Sequence, residues 1–338
     1  TYAEDVYFFK KNLPVIISEN TAGWLTLSPD KKYLLGGGEK ISLINLPGDE
    51  KYDFNIGKNA LDALWSPDSK KFLTAGKIYD INNLNNSTAF AGQYPKAVNL
   101  KWGADSNKIY YLSPGAGKNE IINSFSLKDN KNEIVLTSEN EELKITDFLI
   151  KDGIIFYVTH SPAETKLNFK KIGAVESARS VDLPASAKYK FINHEHKLIN
   201  LYDEAGKTLH LINPFSYFPL EETINNIKQG GWTDENKLLY CNDFEIWLFD
   251  LKNKQKTILT RISNIIEKTL WHPNGNYVIY FTKNSINAIE LDDREKRNST
   301  ELANLDKISF PYLNTKGDIL YFTAKKENRE GIYKLKIQ

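Results

Sequence analysis

Leu64-Trp65-Ser66-Pro67-Asp68-Ser69-Lys70-Lys71-Phe72-Leu73-Thr74 joins two short apolar stretches through a Ser-Pro-Asp turn. The phrase returns as Leu27-Ser28-Pro29-Asp30, Trp102-Gly103-Ala104-Asp105, Trp232-Thr233-Asp234-Glu235 and Trp271-His272-Pro273-Asn274. Weaker copies lie around Leu149, Ile192 and Leu313. The recurrence comes about every forty residues, a period that marks a radial repeat array. Leu27, Trp65, Trp102, Trp232 and Trp271 therefore read as structural anchors, each placed just before its turn. A large side chain there would bury one repeat against the next.

The runs after the turns, such as Lys71-Phe72-Leu73-Thr74 and Asn276-Tyr277-Val278-Ile279-Tyr280-Phe281, are short, aromatic and β-branched, so they read as strands. A third run follows, as in Ile246-Trp247-Leu248-Phe249-Asp250-Leu251, and a weaker fourth closes the unit, as in Lys256-Thr257-Ile258-Leu259-Thr260. Four antiparallel strands per repeat is the blade of a β-propeller. The fold class expected is thus an all-β, closed propeller with eight blades. Seven is the alternative, should the copies at Leu149 and Ile192 belong to one irregular stretch. The last repeat supplies three clear strands, so Val6-Tyr7-Phe8-Phe9 or Val15-Ile16-Ile17 is expected to complete it. Residues 1–17 then form a closing segment and 18–338 a single propeller domain. Glu221–Lys228 is the one segment with helical character.

The Trp-Ser-Pro-Asp phrase followed by a Lys-rich strand resembles the TolB-like and WD40-like propeller repeats of bacterial surface and periplasmic proteins. It is also similar to the propeller domain of the prolyl oligopeptidase family. The resemblance implies a bacterial, extracytoplasmic binding module. Gly-His and Trp-Asp markers and sialidase Asp-boxes are absent from the sequence, and no glycine pair recurs in each repeat as in kelch blades.

The 338 residues carry 44 basic and 43 acidic side chains, net +1, so no basic field exists to neutralise phosphates and nucleic acid is not an expected partner. No run of eighteen apolar residues is present, so this stretch contains no membrane-spanning helix. The sequence starts at Thr1 and contains no Met, and the reading expects an upstream segment carrying a signal or anchor. Cys241 is alone, which excludes an intrachain disulfide and fits an inert core thiol. A monomeric propeller needing no cofactor and no metal is expected.

Catalytic motifs are few. No Gly-x-Ser-x-Gly elbow occurs. Ser113-Pro114-Gly115-Ala116-Gly117-Lys118-Asn119 lacks the glycine spacing and terminal hydroxyl of a phosphate loop and reads as a wide hairpin turn. His194-Glu195-His196 places two imidazoles two apart, a spacing that could serve a metal, but it falls at a polar turn and reads as exposed. The expected function is non-enzymatic binding of a protein or surface ligand on a loop rim, with the longest loops at 113–119, 138–143 and 325–331. Tyr94 and Lys96, in a blade-linking loop, are candidate contact residues. The competing reading is a hydrolase or lyase with its site in the central funnel. Asp62, Lys101, Asp147, Lys190 and Lys268, just upstream of the anchors, are its candidate side chains.

Overall fold

The computed structural model describes residues 12–19, 23–37, 40–48, 50–55, 62–90, 96–115, 119–138, 141–192, 194–292, 294 and 297–337. Those residues form strands and turns with no helix among them. The first strand, β1 (Val15–Ser18), belongs to the last sheet. The next sheet runs β2 (Trp24–Leu27), β3 (Tyr33–Gly37), β4 (Ile41–Asn45) and β5 (Glu50–Phe54). Then come β6 (Leu64–Trp65), β7 (Lys71–Thr74), β8 (Lys77–Asp80) and β9 (Asn83–Ala89). The third sheet has β10 (Val98–Trp102), β11 (Lys108–Pro114), β12 (Glu120–Ser126) and β13 (Lys131–Thr137). The fourth has β14 (Lys144–Lys151), β15 (Ile154–His160), β16 (Thr165–Lys171) and β17 (Arg179–Leu183).

The fifth sheet has β18 (Tyr189–Ile192), β19 (Ile199–Asp203), β20 (Thr208–Ile212) and β21 (Leu220–Ile224). The sixth is β22 (Gln229–Trp232), β23 (Lys237–Cys241), β24 (Glu245–Asp250) and β25 (Gln255–Arg261). The seventh is β26 (Lys268–Trp271), β27 (Tyr277–Phe281), β28 (Ser285–Glu290) and β29 (Ser299–Asn304). The eighth places β30 (Asp306–Leu313), β31 (Ile319–Lys326) and β32 (Arg329–Lys336) beside β1, in the order β1-β32-β31-β30. Eight four-stranded antiparallel sheets are the blades of a β-propeller.

Two sequence expectations are corrected. Leu220–Ile224 is strand β21, paired with β20, so the helical reading of Glu221–Lys228 fails. Pairing to the neighbouring strand satisfies backbone groups that a short isolated helix could not. The loop expected at 325–331 is a tight turn, because Lys326 already pairs with Arg329.

The anchors sit where the repeat put them: β2, β6, β10, β18, β22, β26 and β30 end on Leu27, Trp65, Trp102, Ile192, Trp232, Trp271 and Leu313. In the two Ser-Pro-Asp copies the turn that follows is built from the same polar contacts. Ser66 Oγ donates to Asp68 Oδ1 at 2.7 Å and accepts the Lys71 N–H at 2.9 Å. Ser28 and Asp30 repeat the contact at 2.6 Å, with the Tyr33 N–H on Ser28 Oγ at 2.9 Å. In the seventh sheet His272 makes a different contact, its Nδ1 accepting the Asn274 N–H two residues on. The fourth residue after the anchor turns to positive φ, at Lys31, Ser69, Ser106, Gly153, Gly275 and Gly317. At Gly317 a Cβ would lie 2.8 Å from the His272 ring, so φ +81° and crowding together demand glycine there.

The N-terminal expectation holds for Val15–Ser18, while Val6–Phe9 lies outside the described residues. Val15 pairs with Lys334 and Ile16 with Tyr333 across an antiparallel ladder. A Cβ on Gly331 would meet the Ser18 carbonyl oxygen at 2.1 Å, so only glycine lets β1 lie this close.

Backbone contacts divide the chain into two compact units, residues 64–227 and residues 1–63 with 228–338. Within each, the apolar faces of successive sheets bury one another. In the first, Phe156, Leu167 and Phe169 of the fourth sheet pack with Phe191, Leu201 and Ile212 of the fifth. In the second, Ile279, Phe281 and Ile286 of the seventh pack with Leu320, Phe322 and Leu335 of the eighth.

Candidate functional site

Two of the five funnel candidates meet. Lys101 on β10 and Asp147 on β14 form an ion pair of 2.7 Å, with side chains only 18% and 9% exposed. Asp147 is fully employed beyond this. Its Oδ1 accepts the Phe148 N–H at 2.8 Å, and its Oδ2 accepts the Phe191 N–H at 2.9 Å on β18. The Lys101 ammonium also lies 5.2 Å from the Phe148 ring centroid and 5.6 Å from that of Phe191. It thereby occupies the place between two aromatic faces that an external cation would seek. Burial pulls the Lys101 ammonium below the usual lysine range, and Asp147 offsets part of that effect.

His194 completes the cluster. Its residue outline is exposed, yet Nε2 turns inward to the Phe191 carbonyl at 2.9 Å. Burial of the ring, with Lys101 and Lys151 nearby, holds the imidazole below its ordinary value. His196 is buried and accepts the Leu198 N–H on Nδ1 at 3.1 Å, while Lys151 donates to the His196 carbonyl. The exposed-turn reading of His194-Glu195-His196 therefore needs correction: His196 packs inward. No group of three or more metal-ligating side chains gathers among the described residues.

The remaining candidates disperse. Lys190 points away from Asp147 and pairs with Glu204 at 2.6 Å on the solvent side. Asp62 and Lys96 are exposed, and Tyr94 lies outside the described residues. Lys268 stacks its ammonium 4.7 Å from the Tyr312 ring centroid, and burial lowers its proton affinity. Tyr312 in turn donates its hydroxyl to the Leu25 carbonyl at 2.9 Å, tying β30 to β2. Cys241 is fully buried, which pushes its thiol up to about 11.

Among the described residues, the most exposed aromatic group lies elsewhere. The β20–β21 connection, Asn213-Pro214-Phe215-Ser216-Tyr217-Phe218-Pro219, leads into Leu220. Phe215, Tyr217, Phe218 and Leu220 are 60%, 90%, 76% and 53% exposed. The loop is nonetheless ordered from within. The Asn213 N–H reaches the Pro219 carbonyl at 2.7 Å, and the Ser216 N–H reaches the Asn213 carbonyl at 3.1 Å. Phe215 sits edge-on to Phe169 at 5.6 Å, and Tyr217 sits edge-on to Phe218 at 4.8 Å. Because it joins third and fourth strands, this loop lies at the opposite end of its blade from the second-to-third connection. The rim singled out from loop length was therefore the other one. A signal was present: three aromatics bracketed by two prolines cannot belong to a paired central strand.

No protein-family model matches the sequence, and no curated protein matches it. Solved structures do resemble it in shape. A eukaryotic initiation factor superposes with a TM-score of 0.62 at 13% identity, covering 93% of this chain and 85% of its own. The Dos1 propeller gives 0.63 at 10% identity, covering 96% and 95%. A chain of the mitotic checkpoint complex gives 0.50 at 8%, covering 99% and 95%. The likeness shows the fold, a β-propeller.

Proposed function

We propose that the chain is a non-catalytic binding module that docks a protein partner on the aromatic loop 213–220. The observation that carries this reading is the exposure of Phe215, Tyr217, Phe218 and Leu220 on one internally hydrogen-bonded loop. Aromatics held in place lose little conformational freedom on binding, and they are the residue types that anchor interfaces. The Lys101–Asp147 pair supports the same reading from the negative side. Both carboxylate oxygens are taken by the protein's own donors, which leaves no poised acid or base there. A propeller neighbour drawn from a multiprotein complex agrees with a docking role. The reading includes a place in a bacterial envelope, outside the cytoplasm, for which the resemblance of the Trp-Ser-Pro-Asp repeats to TolB-like repeats is the support.

A photoreactive amino acid at position 217, introduced in cells that naturally make the protein, tests this. One discrete adduct is expected, absent when Phe215 and Phe218 are both changed to Ser. An adduct pattern unchanged by those substitutions, or none at all, overturns the reading.

A further inference from the structure

Between the outer strand β17 of the fourth sheet and the face of β20 and β21 of the fifth lies a cleft of about 310 Å³. That size reaches the lower end of small-ligand sites. Most of its wall is apolar, with Leu183 on one side and Ile212 and Leu220 on the other. The charges on it have a single sign: Asp182 and Asp203 line the cleft, and no Lys or Arg does. Asp203 is fixed by the Ser186 hydroxyl at 2.6 Å and by the Ala205 and Gly206 N–H groups at 3.1 and 3.0 Å. Asp182 is solvent-exposed; Lys166, its cross-strand neighbour on β16, is itself engaged by Glu164.

One polar side chain in this wall has unused capacity. His210 is only 5% exposed, and its Nδ1 lies 3.3 Å from Thr223 Oγ1. Among the described residues its other ring nitrogen meets no hydrogen-bond partner, and the ring lines the cleft. Burial holds this imidazole below its ordinary value, with Asp203 offsetting part of the effect, which favours the neutral ring able to accept a proton donor on Nε2.

We propose that this cleft binds a small organic cation with an apolar body, an aliphatic or aromatic amine. The apolar part lies against Leu183, Ile212 and Leu220, and the ammonium faces Asp182 and Asp203 and donates to His210 Nε2. An organic anion meets two carboxylates with no countercharge, so the site selects against it. The inference is independent of the docking loop, although Leu220 borders both.

Ligand-observed NMR titration with phenethylamine, 2-phenylethanol and phenylacetate tests it. Saturable phenethylamine binding is expected, about threefold or more tighter than 2-phenylethanol, with phenylacetate weakest. Asp182→Asn, a change at an exposed position, should erase the preference of amine over alcohol. Leu220→Ala should weaken both, and Tyr217→Ser should leave both unchanged even where it abolishes partner docking. Equal binding of the three probes, no saturable amine binding, or an amine preference that survives Asp182→Asn overturns the proposal.

Discussion

Residues 64–227 and residues 228–338 solve one structural problem with different chemistry. In the first region, Asp147 reaches from one inner strand to accept the Phe191 N–H of the next, and Lys101 neutralises it. In the second, Gln229 on β22 reaches β26, accepting the Thr269 N–H on Oε1 at 2.8 Å. Its Nε2 lies 3.4 Å from both the Thr269 carbonyl and hydroxyl oxygens. Both devices tie consecutive inner strands, side chain to backbone. The neutral amide does it without burying a charge. What the difference teaches is that a buried ion pair on an inner strand is here a strap between blades, and its charge alone does not mark a reaction centre.

The comparison is broken most severely by removing one member of the charged strap. Asp147→Ala leaves the Lys101 ammonium buried without its counterion and strands the Phe191 N–H. A loss of about 3–5 kcal/mol is expected in urea unfolding. The paired replacement Lys101→Met with Asp147→Leu should recover the part of that loss due to the unpaired ammonium, while the Phe148 and Phe191 N–H groups stay without their acceptor. A double variant as unstable as the single would show that the lost acceptors, not the unpaired charge, carry the cost.

The tryptophan anchors divide along similar lines. Trp65 is buried against Phe72, ring centroids 5.4 Å apart, and Trp65→Ala should cost about 3–5 kcal/mol. Trp271 is only half-buried, packed at the edge of its cluster, so Trp271→Ala should cost less, about 1–2 kcal/mol. Denaturant midpoints of the two variants at equal m-value check the ranking.

The repeat was legible because its clearest copies carry their own turn chemistry: a Ser or His acceptor, an Asp or Asn two residues on, and a residue tolerant of positive φ. Even the faint copies at Leu149 and Leu313 keep a glycine at that last position. Which inner-strand charges converge was only half legible. Lys101 and Asp147 were both among the candidates, yet Lys190 was grouped with them. A register shift between Ile145 and Asp147 redirects β14 locally, while β18 pairs regularly and sends Lys190 to Glu204. A bulge changes which side chains share a face, and nothing in the composition of β14 announces it. Length does not distinguish the aromatic loop; its proline-bounded aromatic content is the feature that marks it.

The neutral strap should respond mildly. Gln229→Ala leaves the Thr269 N–H without its acceptor and should cost about 1–2 kcal/mol by the same unfolding assay. A cost equal to that of Asp147→Ala would erase the distinction drawn between the two regions.

The smallest effect expected is on the alkaline side of the neutral region. Burial raises the Cys241 thiol in the folded protein from 9.0 to about 11, against a smaller opposing effect of its hydrogen bond with Thr269. A raised folded value stabilises below the unfolded value, and that contribution drains away as pH climbs from 9 toward 11. About 1 kcal/mol should be gone by pH 10. Cys241→Ala should show a correspondingly shallower decline between pH 9 and 11. Parallel slopes for parent and variant would place the thiol in contact with water.

The central claim is that the charged inner cluster holds the blades together while the aromatic loop carries recognition. Adduct yield from the photoreactive group at position 217 tests it directly when compared between two backgrounds. In the Lys101→Met/Asp147→Leu background the yield should equal that of the parent. In the Phe215→Ser/Phe218→Ser background it should vanish while the melting temperature holds. A folded Lys101→Met/Asp147→Leu protein that loses the adduct, beside a loop variant that keeps it, would contradict the account.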